Sequence, residues 1–439
     1  MIEPRGSLWR VWDFHVHTPA SFHWNGEKFG SNPKRNTELV DEMIDALNKA
    51  EPAVFGFMDY WTFDGWFALK KRLQEEGAPK LTKTVFPGIE LRLAAPIRGR
   101  LNAHVIFSDK ATDQTLKDFL SRLKLELTDQ ILSDSALIQY ARDVGEEKLA
   151  KHGYKLSEVV ADDSKALSAG YEIAELKPES YKEAIRLAPE DEAVGFMPFD
   201  TNDGLADIDR NRHYAYTLSL FEKSPIFETR KLDLWAAFAG IETSGNRPWL
   251  AQFQAALKNK PRLAVSGSDA HRFVGESGNN DKRGYGDFPS GKKTWIKADP
   301  TWYGLLQVLK EPSKRSFIGD LPPKLQQISH AKTFYIDRVT IKKVPGSKLQ
   351  EAWPDGVDLP VNPDLVAIIG NKGSGKSALA DIIALLGCSQ QREHFSFLKS
   401  NRFRGKNGDP ARQFIGTMHW LSGEPNQSNL SDDPAPDRV

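Results

Sequence analysis

Three features of the chain predict an α/β protein, with parallel strands in a closed or nearly closed barrel followed by a smaller phosphate-binding α/β unit. Short apolar runs recur up to residue 265, stretches at helical spacing separate several of them, and most of the runs end in an acid or a histidine. Strands that alternate with helices build parallel sheets, and function then gathers at the C-terminal ends of the strands.

Taken in order, the expected strands are residues 8–16, 53–58, 84–89, 102–107, 193–199, 238–241 and 262–265, with helices at 38–49 and 66–76. Residues from about 112 to 190 interrupt this rhythm. They are charged and helix-prone, with Leu116, Phe119, Leu120 and Leu123 spaced for one helical face, and they read as a helical insertion acting as a lid, a docking surface or a solvated decoration. A Gly/Asn-rich loop follows at 275–290, then a strand at 293–297 and a helix at 302–309. The proline-dotted, basic stretch 312–327 reads as a linker. Beyond it, strands are expected at 333–343, 365–369 and 414–421, with a helix at 377–386. The domain boundaries on this reading are 1–325, 326–423 and a disordered, Asn/Ser/Asp/Pro-rich tail at 424–439.

The chain has 439 residues, 40% hydrophobic and 27% charged, which suits two or three globular domains. Its net charge of zero excludes a global pull toward nucleic acid or membrane, so any such affinity must be local. With one cysteine, Cys388, no disulfide can form within the chain, and a reducing compartment is expected. The N-terminus lacks the pattern of a signal peptide and no apolar stretch is long enough for a membrane span, so a cytoplasmic protein with no membrane partner is expected.

The chemistry-bearing residues lie at the strand ends. His15 and His17 alternate with Val16, so both point to one face of the first strand and can close on one metal ion. His23 follows. Asp59 closes the second run, Glu90 the third, Glu242 the sixth, and Asp269 and His271 follow the last, while His104 sits on the fourth. Mixed imidazole and carboxylate ligation suits Mn, Fe or Zn better than Mg or Ca.

The motifs His15-Val-His17-Thr18, Pro87-Gly-Ile-Glu90 and Ser268-Asp-Ala-His271 closely resemble those of the PHP (polymerase and histidinol phosphatase) domain, over roughly residues 8–272. That resemblance implies a distorted seven-stranded, TIM-like barrel holding one to three divalent ions. It implies one ion on His15, His17, Glu90 and Asp269, a second bridged by Glu90 and bound by His104, and a third on His23 and His271. Two positions depart from the family pattern: Tyr60 and Met197 stand where it has histidines, so the second and third ions each lose an imidazole. A phenol ionises only near pH 10 and replaces neither, whereas Asp200 lies near enough in sequence to reach in. Asp13, Asp59 and Arg272 complete the expected catalytic set, Asp13 as a partner for an imidazole N–H and Arg272, with Arg283, as a phosphate contact. The implied chemistry is phosphoester hydrolysis, in which ions acidify water and neutralise phosphoryl oxygens.

The second strong motif is Gly370-Asn371-Lys372-Gly373-Ser374-Gly375-Lys376-Ser377, a G-x-x-x-x-G-K-[ST] loop between an expected strand and an expected helix. In that context glycine amides wrap phosphates, Lys376 reaches the outer phosphates and Ser377 meets Mg²⁺, so ATP with Mg is the expected ligand. The surrounding 110 or so residues resemble the N-terminal lobe of an ABC/SMC-type ATPase head. No Walker B run and no signature motif are present, and Leu421-Ser-Gly-Glu424 is only a near miss. Basic residues interleaved with Phe395, Phe397 and Phe403 across 390–412 suit nucleic acid or a solvated face equally.

Together these resemble bacterial PHP–ATPase proteins of antiphage defence. The leading expectation is a metal-dependent phosphoesterase, in the first place a nuclease, gated by an attached ATP-binding head. Nucleic acid is the expected partner, with a homo-oligomer or a second protein supplying the missing ATPase motifs. A small-molecule phosphatase and a non-catalytic ATP-binding assembly module with a degenerate barrel are the alternatives.

Overall fold

The alternation seen in the sequence becomes, among the described residues, eleven strands and their connecting helices in the larger of two compact units, Trp9–Asp320. The structure, a computed structural model, describes residues 3–97, 99–201, 203–209, 212–276, 279, 282–350, 353–405 and 410–435. The strands are β1 (Trp9–Val16), β2 (Val54–Phe57), β3 (Asp59–Tyr60), β4 (Thr84–Phe86), β5 (Gly88–Leu93) and β6 (Leu101–Phe107). They continue with β7 (Ala193–Pro198), β8 (Ile226–Glu228), β9 (Leu263–Val265), β10 (Lys293–Lys297) and β11 (Ser316–Gly319).

These strands pair into two mixed sheets, ordered β11-β10-β1-β2-β4 and β3-β5-β6-β7-β8-β9. The chain passes between them through one-residue steps: Met58 separates β2 from β3, and Pro87 separates β4 from β5. Two departures from expectation follow. The sheets are not all parallel, since β6 runs antiparallel to β5 and β7, and the ladders among the described residues do not close a ring. The segment after β9, the edge strand of the second sheet, meets the end of β1 through the bridge Val16–Ala270. Hydrogen bonds from Asp269 N to His15 O and from His17 N to Ala270 O, both 2.9 Å, flank it.

Residues 238–241, expected as a strand, are the end of the helix Leu232–Ala239 and the turn after it. That helix stops at Gly240, whose φ of 76° is the left-handed conformation glycine tolerates best. The strand that takes this place in the sheet is β8, and Phe238 stacks on its Phe227 at 4.5 Å. The stretch 312–327 is not a linker either: it forms the helix Pro312–Arg315, the edge strand β11 and the start of the helix Pro323–His330.

The insertion is helical as expected, with helices Asp113–Leu120, Asp134–Asp143, Glu146–Lys151, Leu156–Ala161, Asp163–Ile173 and Pro178–Arg186 between β6 and β7. Thr112, Ser133 and Asp162 cap three of them by accepting from the first free amides. Ala141, Leu149, Val159, Ala166, Ala169 and Ile173 give the insertion a small core of its own. It is stitched to the sheet rather than floating over it: Leu176 bridges Leu93, and the buried Tyr181 hydroxyl donates to His104 O at 3.0 Å.

The second unit comprises Met1–Leu8 with Leu321–Val439. It holds an antiparallel sheet of β12 (Ile336–Lys343), β13 (Val357–Pro360), β14 (Phe414–Trp420) and β15 (Pro425–Asn429), ordered β13-β12-β14-β15. Ile382, Leu385 and Leu386 of the helix Lys376–Leu386 share a core with Val339, Ile341, Phe414 and Met418 of this sheet. Two expectations are corrected here. Residues 365–369 form no strand: they pair with no edge of the sheet, and Leu365 and Ile369 are 81% and 88% exposed. The presumed disordered tail contains β15, paired with β14, while residues 436–439 lie outside the described residues. No helix among the described residues is long and apolar enough to cross a membrane.

One side chain joins the strand before the candidate site to β10. Thr294, fully buried, donates to Ser266 O at 2.8 Å and accepts from Ser266 N at 2.6 Å. Thr294→Val preserves shape but leaves both backbone groups dry, so it should lower stability by about 2 kcal/mol. Urea unfolding checks this, and an unchanged midpoint would contradict it.

Candidate metal centre

β1 delivers the first ligands. Its pairing with β2 slips between Asp13 and Val16, and His15 and His17 both turn their Nε2 atoms toward one point. Asp269 comes from the segment after β9, where its backbone has φ of 53°, an uncommon conformation for a side-chain-bearing residue and one that gathers at functional sites. Gly267 lets that segment approach β1 closely, since a Cβ there would lie 2.4 Å from His15 Cβ. Glu90 and His104 sit directly opposite one another on β5 and β6.

Four atoms then converge. Glu90 Oε2 lies 3.3 Å from His15 Nε2 and 3.5 Å from His17 Nε2, while Asp269 Oδ1 lies 3.5 Å from each of the same nitrogens. Ligand atoms held about 2.1 Å from a four-coordinate ion stand roughly 3.4 Å apart, so these spacings match a metal cage. Glu90 turns its other oxygen, Oε1, toward His104 Nε2 at 3.3 Å and accepts from Asn102 Nδ2 at 2.6 Å. It therefore connects two groups able to hold an ion, His15–His17–Asp269 and His15–Glu90–His104. The buried Nε2 atoms of His17 and His104 face carboxylates yet make no hydrogen bond, as donors awaiting a cation do.

Electrostatics point the same way. Burial opposes ionisation of Glu90 and Asp269, but the imidazoles around them outweigh it and hold both carboxyls well below their usual range. Burial also disfavours a charged His15, yet Glu228 and Asp269 overcome this and keep its pKa well above the ordinary value. His17 is driven down to about 3 by burial and by His271, so it is neutral and ready to ligate. Buried carboxylates outnumber the charged imidazole, and a divalent cation would offset the remainder.

Glu228 is the residue that the sequence reading missed. Its Oε2 lies 2.9 Å from His15 Nδ1, which fixes the ring and aims Nε2 into the cage. The signal was present in Pro225-Ile-Phe-Glu228, which ends in an acid like Pro87-Gly-Ile-Glu90, whereas Glu242, expected in this role, lies off the sheet and pairs with Arg247 at 2.7 Å. Asp13 is not the imidazole partner expected. Its carboxylate accepts from the backbone amides of His15, Ser268 and Gly286, and burial raises its pKa to about 6.

Asp59 likewise works on structure. Both its oxygens are taken by Thr18, through N (2.7 Å) and Oγ1 (2.6 Å), and burial raises its carboxyl to about 7. Neither Asp13 nor Asp59 lines the cleft of about 320 Å³ that opens on the cage, nor does Arg272, which pairs with Glu276 at 2.8 Å. Arg283 is paired with Asp269 Oδ2 at 3.3 Å. Tyr60 does line the cleft, with its phenol held well above the usual pKa by burial, Glu90 and Asp269, so it stays protonated. Met197 is fully buried, and Asp200 pairs with Lys231 at 3.2 Å instead of reaching the cage.

The third expected ion is not supported by the geometry. His271 Nε2 lies 3.3 Å from Asp269 Oδ1, but His23 turns away to Glu172 of the insertion at 3.2 Å. Neither group of converging ligand atoms among the described residues includes His23.

In the second unit, Gly370, Gly373 and Gly375 all have positive φ, and Lys376 Nζ folds back onto Gly370 O at 2.6 Å and Asn371 O at 2.9 Å. Asn371, Lys372, Ser374 and Ser377 are exposed around this loop. The basic and aromatic stretch is largely accounted for by packing: Phe395 is buried, Phe397 stacks on Phe403 at 4.4 Å, and Arg392 pairs with Asp433 at 2.9 Å. Lys406, within that stretch, lies outside the described residues.

Glu228→Gln should weaken Zn²⁺ or Mn²⁺ binding about 10–100-fold at pH 8, because the His15 ring loses its anchor. Since the metal-free His15 ring holds a proton that binding must expel, wild-type affinity should rise with pH, and more steeply than that of the variant, which has lost a carboxylate raising that pKa. Calorimetric titration at pH 6 and pH 8 reads both, and equal affinities for the two proteins at pH 8 would count against the assigned role.

No protein-family model matches the chain, and no curated protein matches it either.

Proposed function

We propose that the larger unit is a metal-dependent phosphoesterase of the PHP type, its two sheets forming a barrel closed at the Val16–Ala270 bridge, and that its substrate is DNA or RNA. The observation that carries this reading is the cage of His15, His17, Glu90 and Asp269 with Glu90 shared toward His104. These residues would hold Mn, Fe or Zn, which supplies activated water and neutralises charge on phosphoryl oxygens.

The chain's own contribution lies around the cleft. Arg230, two residues beyond Glu228, lines it and has no hydrogen-bond or ion-pair partner among the described residues, leaving its planar fork for two phosphate oxygens. Arg100 is already occupied by Glu172 at 2.6 Å and Asp203 at 3.4 Å, so it holds the cleft wall. Glu228 orients His15, and Asn102 orients Glu90.

The second unit is read as an ATP-binding lobe that gates this site, supported by the Gly370–Ser377 motif, the positive-φ glycines and the helix Lys376–Leu386. The exposed run 365–369 beside the loop is consistent with a homo-oligomer or another protein supplying the remaining ATPase parts. A cytoplasmic, antiphage role belongs to the same proposal. The alternative of a non-catalytic assembly module draws on Tyr60 and Met197, which put a protonated phenol and a thioether where imidazoles would ligate.

With Mn²⁺ supplied, the wild-type protein should cleave single-stranded DNA or RNA oligonucleotides. Arg230→Ala should lose about 10–100-fold in turnover while retaining its metal, as expected for one lost charge-assisted contact to phosphate. Cleavage that is absent in the metal-loaded wild type, or unchanged in the variant, would count against the respective parts of the proposal.

A further inference from the structure

A second cavity adjoins the metal cleft and shares one wall with it. It encloses about 570 Å³ between the chain following β1 and the insertion, and is lined by Phe22, Phe29, Tyr154 and Tyr171, with Lys28 and Ser168 among its polar groups. His23 lines both cavities, and its ion pair with Glu172 stands between them. The volume falls within the roughly 300–1,000 Å³ typical of small-molecule sites.

The rings of this cavity divide into two sets. Phe22 and Tyr171 are already engaged, stacked on each other at 5.5 Å, with the Tyr171 hydroxyl bound to Asp134 at 2.9 Å. Phe29 and Tyr154 are half-buried, and neither ring has an aromatic or cationic partner among the described residues. Among the described residues the Tyr154 hydroxyl makes no hydrogen bond, though its phenol lies within the electrostatic reach of Glu172. Phe29 packs on the large core and Tyr154 on the core of the insertion, and both rings also line the cavity, which suits the apolar body of a flat heteroaromatic ligand.

The dividing wall is firmly built. Glu172 meets Arg100 at 2.6 Å as well as His23, and lies 3.9 Å from both Arg92 and His152. Burial alone would raise its carboxyl, but His23, Arg92 and Arg100 bring it down to about 2, so it remains charged at neutral pH. The insertion is thereby clamped where its Tyr154 lines the same cavity as Phe29.

We propose that this cavity is a nucleobase subsite, stacking the base of a nucleotide or of a strand end on Phe29 and Tyr154 while its phosphate lies in the metal cleft beyond His23. The phosphate half rests on the phosphoesterase reading; the base half stands on the cavity alone.

Calorimetry on the full chain, stripped of metal and carrying Lys376→Ala to silence the second unit's loop, tests the base half with AMP against ribose 5-phosphate. AMP should bind at least about tenfold more tightly, the size of one base–aromatic stack. Phe29→Ala and Tyr154→Ala should each cut that preference fivefold or more, whereas Tyr154→Phe, which keeps the ring, should preserve most of it. Equal binding of the two ligands, binding of neither, or a preference that survives both alanine variants would overturn the assignment. Mn²⁺-dependent hydrolysis of methyl p-nitrophenyl phosphate is measured beside it. A base preference without hydrolysis leaves the cavity and removes the phosphoesterase reading; hydrolysis without a base preference does the reverse.

Discussion

Glu90 is the side chain on which the candidate centre depends. Fully buried on β5, it turns one oxygen to His15 and His17 and the other to His104. A buried carboxylate costs stability unless positive charge or hydrogen bonds surround it. Here Asn102 supplies one hydrogen bond and His15 another at 3.3 Å, while Asp269 and Glu228 add two more acids within reach of His15. So much negative charge gathered away from water makes a site that could hold a cation. The slip in β1, the close pass at Gly267 and the left-handed Asp269 all serve that convergence.

The strand ends were legible because each pairs an apolar run with a ligand-type residue. His15, His17, Glu90, His104 and Asp269 could be read from motif and alternation, and they gather into two overlapping groups, His15–His17–Asp269 and His15–Glu90–His104, each able to hold an ion. Glu228 escaped because β8 spans only Ile226–Glu228, too short for a period to register, while the Ala- and Leu-rich run after it drew the strand assignment to 238–241. Asp13 and Asp59 were placed near the site correctly but given the wrong work: sequence gives proximity, whereas hydrogen-bond direction depends on the turn that Thr18 and Ser268 make. His23 was diverted by Glu172, a partner 149 positions away that no local pattern could announce.

The same limits apply in the second unit. The Gly370–Ser377 loop and its helix follow from glycine and lysine spacing, but a strand also needs a neighbour to pair with, and the run 365–369 has none among the described residues. β15 went the other way: a polar, Pro-bearing stretch became ordered because β14 offers it an edge. The insertion shows how tertiary context gives contacts to a segment that sequence alone reads as charged and helical. Its carboxylate, Glu172, and its ring, Tyr154, line the cavity beside the metal cleft, and Leu176 and Tyr181 anchor the insertion to the sheet.

The most direct test of the account is the metal content of protein purified without chelator, beside a His15→Ala/His17→Ala variant. The cage predicts at least one Mn, Fe or Zn ion per chain in the wild type and its loss in a variant that remains folded. A wild-type protein that stays metal-free even after Mn²⁺ is supplied would contradict the central claim, leaving the converging acids and imidazoles as a structural network.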